Sequence, residues 1–190
     1  MSDDALRAGR PPRILLTGRP GSGKTTVIRG AVEMIGLDLC GGFYTEEVRS
    51  RGGRIGFDVV TLSGRRGPLA RIGASGPWVG RYGVDLHSFE SLGVEALEEA
   101  IGEKSRLLVV DEIGKMELYS DRFVELVGRI LDPAARWPVL GTIMQRRHPL
   151  VDRLRLRSNL QIIELTADNR DGLPRQLSEI FESFLESAAP

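Results

Sequence analysis

Residues 18–25 read GRPGSGKT, and no other stretch restricts the fold so strongly. Its spacing is G-x-x-x-x-G-K-[ST]. The apolar run RILLTG (13–18) enters it, and KTTVIRGAVEMI (24–35) leaves it. In the second run Val27, Ile28, Ala31, Met34 and Ile35 fall at helical spacing, and Gly36 ends the pattern. The expected unit is strand, glycine turn, helix. Glycines let the backbone fold back so that several N–H groups point into one concavity, and the helix N-terminus adds its partial positive charge. Such a concavity takes phosphate. Lys24 is expected to bridge the β- and γ-phosphates of a nucleotide, and the Thr25 hydroxyl to bind Mg²⁺. The expected phosphate-binding residues are Gly18, Arg19, Pro20, Gly21, Ser22, Gly23, Lys24, Thr25 and Thr26.

A loop of this kind requires an acidic residue at the tip of a second buried strand, to hold the Mg²⁺. The stretch LLVVDEIGKMEL (107–118) supplies one. Ligands of open parallel sheets bind outside the carboxyl ends of the strands, so Asp111-Glu112 and the glycine loop should meet on one sheet edge. Successive strand residues point to opposite faces, so the two carboxylates should have different roles. Asp111 is the expected Mg²⁺ partner. Glu112 would then face the attacking water and orient or deprotonate it. An acid in that position favours a hydrolase over a phosphotransferase. Lys115 is expected either to lean over the phosphates or to pair with Glu117.

The remaining runs define the architecture. GFYTEEVRS (42–50) and RIGFDVVTL (54–62) flank Arg51-Gly52-Gly53, a hairpin signal, and GPLARIG (67–73) follows closely. Such short connections demand antiparallel pairing. Residues 73–83, rich in glycine, are expected to form a mobile surface loop. Ser88 is the expected cap of a helix ending at Gly102, and Ser120 caps another carrying Phe123, Val124, Val127, Ile130 and Leu131. Strands are expected at VLGTI (139–143) and LQIIELT (160–166), with an arginine-rich segment (146–157) between them, and a last helix over 172–187. The fold class is therefore α/β: a mainly parallel sheet flanked by helices, with an antiparallel β extension inserted after the first βα unit. One domain over 13–190 is expected, preceded by a mobile leader, 1–12.

Composition excludes several alternatives. The chain has 26 basic and 26 acidic residues, so no global field argues for nucleic acid or an anionic membrane. No apolar run approaches the ~18 residues of a membrane span, and the N-terminus lacks an apolar signal core. One cysteine, Cys40, permits no internal disulfide, which suits a reducing cytoplasm. His87 and His148 have no zinc-ligand spacing.

With both motifs in view, the sequence resembles the THEP-type, or cancer-related, nucleoside-triphosphatase family. The resemblance runs from about Arg13 to Leu185. It rests on GRPGSGKTT, GGFYTEEVRSRGGRIGFDVVTLSGRRGPLAR, DEIGKMEL, LGTI and TADNR. It implies a P-loop fold related to nucleotide kinases and RecA-like ATPases. It also implies slow, Mg²⁺-dependent hydrolysis of nucleoside 5′-triphosphates with broad base tolerance. The glycine loop and Leu107, Leu108, Val109, Val110, Asp111, Glu112, Ile113 and Gly114 carry over as nucleotide-binding segments.

Other residues are candidates on position. Thr142, near the tip of VLGTI, could bond the γ-phosphate or the water. Arg146, Arg147, Arg153, Arg155 and Arg157 could supply a further cation for phosphoryl transfer, Arg157 first because the resemblance aligns best there. Asn169 and Arg170 lie where related kinases touch the base, and Arg170 could stack on it. Glu46 or Glu47 is an alternative base. A small-molecule kinase that leaks hydrolysis, and a nucleotide-dependent switch with an unidentified protein partner, remain the competing readings.

Overall fold

The structure is a computed structural model that describes residues 10–102 and 105–188. Most of the leader therefore lies outside the described residues. Among the described residues nine strands form one sheet in the order β5-β6-β4-β3-β2-β7-β8-β1-β9. They are β1 (Arg13–Thr17), β2 (Cys40–Ser50), β3 (Gly53–Thr61), β4 (Arg66–Ile72), β5 (Trp78–Val79), β6 (Tyr82–Val84), β7 (Leu107–Ile113), β8 (Val139–Ile143) and β9 (Gln161–Glu164). Pairing is parallel for β2·β7, β7·β8, β8·β1 and β1·β9, and antiparallel from β2 outward through β3, β4, β6 and β5. β2 belongs to both halves. Its first residues pair with β7, and the rest carries the antiparallel extension.

The helices are α1 (Lys24–Ile35), α2 (Leu86–Phe89), α3 (Glu95–Gly102), α4 (Asp121–Ile130), α5 (Pro149–Arg155) and α6 (Leu173–Ser187). A π-helical turn, Glu90–Val94, joins α2 to α3. Parallel strands buried on both faces distribute alternate residues to two cores. Leu15, Leu108, Val110 and Val139 pack with α3, α4 and α5, whereas Ile14, Leu16, Leu107, Val109 and Leu140 pack with α1 and α6. Phe43, Phe89 and Phe123 form an edge-to-face triad in the first core, with centroids 5.2–6.0 Å apart. Each such contact adds about 0.5–1.5 kcal/mol beyond area burial.

Three local expectations are corrected. Residues 73–83 are not simply a loop: β5 and β6 pair there and extend the sheet from β4, burying Tyr82 and Val84. The α2 cap is Asp85, whose Oδ1 accepts from Ser88 N at 2.9 Å, so the helix begins before Ser88. Met34 faces solvent, and Val32 takes the buried position on α1. Within the arginine-rich segment, Pro149–Arg155 forms α5, capped by His148, whose Nδ1 accepts from Leu150 N at 3.3 Å. Ser120 caps α4 as expected, accepting from Phe123 N at 3.1 Å.

The strand order positions the chemistry. β8 lies between β1 and β7, so three parallel strands deliver the glycine loop, residues 144–146 and Asp111-Glu112 to the same sheet edge.

Candidate active site

A cleft of about 920 Å³ opens at that edge. Gly18, Pro20, Gly21, Gly23, Lys24, Thr25 and Thr26 form one wall, and Glu112, Gly114, Lys115, Met116 and Glu117 another. Met144, Gln145 and Arg146 contribute from the end of β8. The β extension closes the cleft with Thr45, Glu46, Glu47, Arg54, Phe57, Leu69, Val79, Gly80 and Tyr82. Gly21 and Gly23 have φ of 78° and 97°, a left-handed backbone that glycine adopts without a Cβ clash. That curvature turns the loop into the N-terminus of α1. Lys24 Nζ donates to Gly18 O at 3.2 Å and to Arg19 O at 3.4 Å, so its ammonium lies over the loop. Ser22 Oγ is buried without a hydrogen-bond partner among the described residues, and Arg19 is exposed outside the cleft lining.

Asp111 is buried beneath this wall. Its Oδ1 accepts from Thr142 Oγ1 at 2.5 Å, while Oδ2 is buried and unpartnered among the described residues. Burial raises its pKa, against the Thr142 bond, the nearby Thr25 hydroxyl and the positive charge of Lys24. An orphaned carboxylate oxygen beneath the wall that carries Thr25 fits Mg²⁺, which takes oxygen ligands from one or two protein groups and completes its shell with phosphate and water. Among the described residues no cluster of three or more His, Cys, Asp or Glu competes for a metal.

Glu112 is half-buried and lines the cleft. Burial raises its pKa, Lys24 opposes the rise, and Asp111 adds to it. The β7·β8 register breaks between Val110 and Ile113, and the Asp111–Glu112 peptide bond is cis. Glu117 is a third carboxyl here, missed in the sequence except as a partner for Lys115. It is buried, and its pKa is raised to about 8 by burial and then by Glu112. Gly114 lies between the two glutamates: a Cβ there would sit 2.7 Å from Glu117 Oε2 and 3.4 Å from Glu112 Cδ.

The other candidates separate. Thr142 is wholly buried against Asp111, so it orients that carboxylate rather than facing the phosphates. Arg157 is not brought to the cleft: its Nη1 donates to Leu131 O at 3.0 Å, behind the end of α4. Lys115 is exposed on the cleft and forms no ion pair with Glu117 among the described residues. Leu107, Leu108, Val109, Val110 and Ile113 are fully buried core residues, so the expected segment narrows at the cleft to Glu112 and Gly114, with Asp111 below. Asn169 shapes its own loop, accepting from Thr166 N and donating to Glu164 O, both at 2.9 Å. Arg170 lies against the phosphate loop, its Cδ 3.3 Å from where a Cβ on Gly23 would be. Glu46 pairs with Arg29 and Arg66, and Glu47 with Arg49 and Arg54. Burial alone would raise the Glu47 pKa, but the two arginines outweigh it and hold it low.

The glycine loop on α1, Lys24 over it, and a buried acid two strands away define a P-loop nucleotide-binding protein. The relatives narrow the class. A family model described as NTPase matches residues 13–178. Nucleoside-triphosphatase THEP1 of Thermotoga petrophila is 46% identical over 166 residues, covering 87% of this chain and 90% of that protein. The cancer-related nucleoside-triphosphatase of Homo sapiens is 46% identical over 175 residues, covering 84% and 91%. The crystal structure of THEP1 from Aquifex aeolicus aligns with a TM-score of 0.82 at 37% identity, covering 90% of this chain and 99% of that one. The solution structure of a human cancer-related nucleoside triphosphatase aligns at 0.74 and 40% identity, covering 94% and 100%. The chain belongs to this nucleoside-triphosphatase family.

Proposed function

We propose that the protein hydrolyses nucleoside 5′-triphosphates to the diphosphate and phosphate, slowly, with Mg²⁺ and with broad base tolerance. The observation that carries this reading is Glu112, a carboxylate whose pKa burial raises, on the wall facing the glycine loop. The loop amides and Lys24 would hold the triphosphate, and Thr25 and Asp111 would hold the metal, with Thr142 orienting Asp111. When bound there, Mg²⁺ would neutralise charge on the phosphates. The water oxygen bonds to the γ-phosphorus as the bridging oxygen–phosphorus bond breaks. The diphosphate leaves with that electron pair, and Glu112 takes the water proton. A raised pKa strengthens Glu112 as a base near neutral pH. Arg170 beside Gly23 offers a planar guanidinium for stacking, which accepts any base. A reducing cytoplasm is the proposed location, supported by the single buried thiol of Cys40. No helix among the described residues is long and apolar enough to cross a membrane.

The test follows γ-labelled ATP with Mg²⁺, with and without a panel of nucleosides and nucleotides as acceptors. Label should appear as inorganic phosphate at a rate the acceptors leave unchanged. Label collecting in an acceptor would replace the hydrolase reading with a kinase.

A further inference from the structure

The five arginines of residues 146–157 have different positions. Arg147 Nε reaches Asp152 Oδ2 at 3.3 Å. Arg155 Nη2 donates to Met144 O at 2.8 Å and Gln145 O at 3.0 Å. Arg157 is held by Leu131 O, and Arg153 is exposed on α5 outside the cleft lining. Of the five, Arg146 alone lines the cleft shared by the glycine loop, Lys24 and Glu112.

Sheet order produces this placement. β8 runs parallel to β1, with Leu16 opposite Thr142, so the residues after Ile143 leave the sheet beside the glycine loop. The backbone leading to Arg146 is fixed at several points. Met144 N donates to Ile113 O at 3.2 Å, and Arg155 ties down the Met144 and Gln145 carbonyls. Gln145 Nε2 donates to Glu164 Oε1 at 3.2 Å, and the capped start of α5 holds the far side at His148. Arg146 itself is exposed, on a restrained loop, at the edge where the γ-phosphate must lie. On the opposite wall Arg54 is already paired with Glu47 and set over the Phe57 ring at 4.8 Å, so its charge is committed.

We propose that Arg146 is a catalytic arginine that contacts the γ-phosphoryl oxygens during transfer, and that Arg155 is the positioning residue that holds its loop. This deepens the nucleoside-triphosphatase reading and rests on it. Charge in the transition state spreads over the three equatorial oxygens. A planar guanidinium fork matches two of them, which a lysine ammonium does not.

The test compares wild type with Arg146→Ala, Arg146→Lys, Arg155→Met and Arg153→Ala in Mg²⁺-ATP turnover. It also measures binding of Mg²⁺-ADP with and without aluminium fluoride, a mimic of the transferring phosphoryl group. Arg146→Ala should lower kcat by about 10²–10³-fold, as for loss of one preorganised donor, with KM and ADP affinity nearly unchanged. It should also abolish the tighter binding that fluoroaluminate confers. Arg146→Lys should recover part of both, Arg155→Met should lose part of both while melting cooperatively, and Arg153→Ala should match wild type. Unchanged kcat and fluoroaluminate binding in Arg146→Ala would overturn the proposal, as would a loss confined to KM. A wild-type protein that releases no phosphate would instead remove the reading beneath it, so the two failures are distinguishable.

Discussion

Glu117→Gln should flatten the pH dependence of stability. The Glu117 carboxyl is buried, and its pKa is raised to about 8 from a reference of 4.5, first by burial and then by the charge of Glu112. Between those values the folded chain keeps a proton that the unfolded chain releases. The folded state therefore binds more protons, and stability falls as pH rises through the window, reaching its low level above about pH 8. At about 1.4 kcal/mol per pKa unit, the difference between 8 and 4.5 sets a ceiling of about 5 kcal/mol. Part of this depends on the ionisation of Glu112, so removing that charge should shrink it. Glutamine keeps the shape of the neutral acid and cannot ionise. The assay is urea unfolding of both proteins at about pH 5, 7 and 9, with identical ionic strength. The wild type should lose several kcal/mol more than the variant over that range, on the order of the linkage ceiling. Parallel stability curves would show that the Glu117 carboxyl titrates normally and refute the reasoning.

Thr142→Val removes the 2.5 Å hydrogen bond to buried Asp111 and should cost about 1.5–3 kcal/mol, the range for bonds to charged groups. The Mg²⁺ concentration for half-maximal hydrolysis should rise; an unchanged Mg²⁺ titration would show that Asp111 needs no such orientation. Gly42→Ala places a Cβ 2.1 Å from Val109 O at a φ of 125°, and should cost about 3 kcal/mol or more. Gly52→Ala, with nothing within 4 Å among the described residues, should stay within about 0.5 kcal/mol; equal denaturation midpoints for the two would contradict the close β2·β7 approach.

The strand, glycine loop and α1 were legible because local spacing determines them. The order of buried runs revealed the parallel sheet, and the 51–53 turn revealed the antiparallel hairpin. β5 and β6 were hidden because strands of two and three residues among turn-forming glycines show no alternation until β4 pairs with them. Thr142 was legible as a residue near the strand tip. Its partner depended on the β7·β8 register, which puts Val110 opposite Gly141 and then breaks. Glu117 reads as a surface charge in KMEL, and only the 3₁₀ turn at Glu117–Tyr119 buries it beside Glu112. The arginines could not be ranked from spacing, because Leu131 O and the Met144 and Gln145 carbonyls claim Arg157 and Arg155 from other elements.

The most direct measurement is single-turnover hydrolysis of Mg²⁺-ATP by Glu112→Gln beside a titration of nucleotide affinity. If Glu112 activates the water, ATP binding survives and the chemical step slows by about 10²-fold or more, as for a lost general base. An undiminished rate at unchanged affinity would place the base elsewhere on the cleft, with Glu46 and Glu47 the next residues to replace.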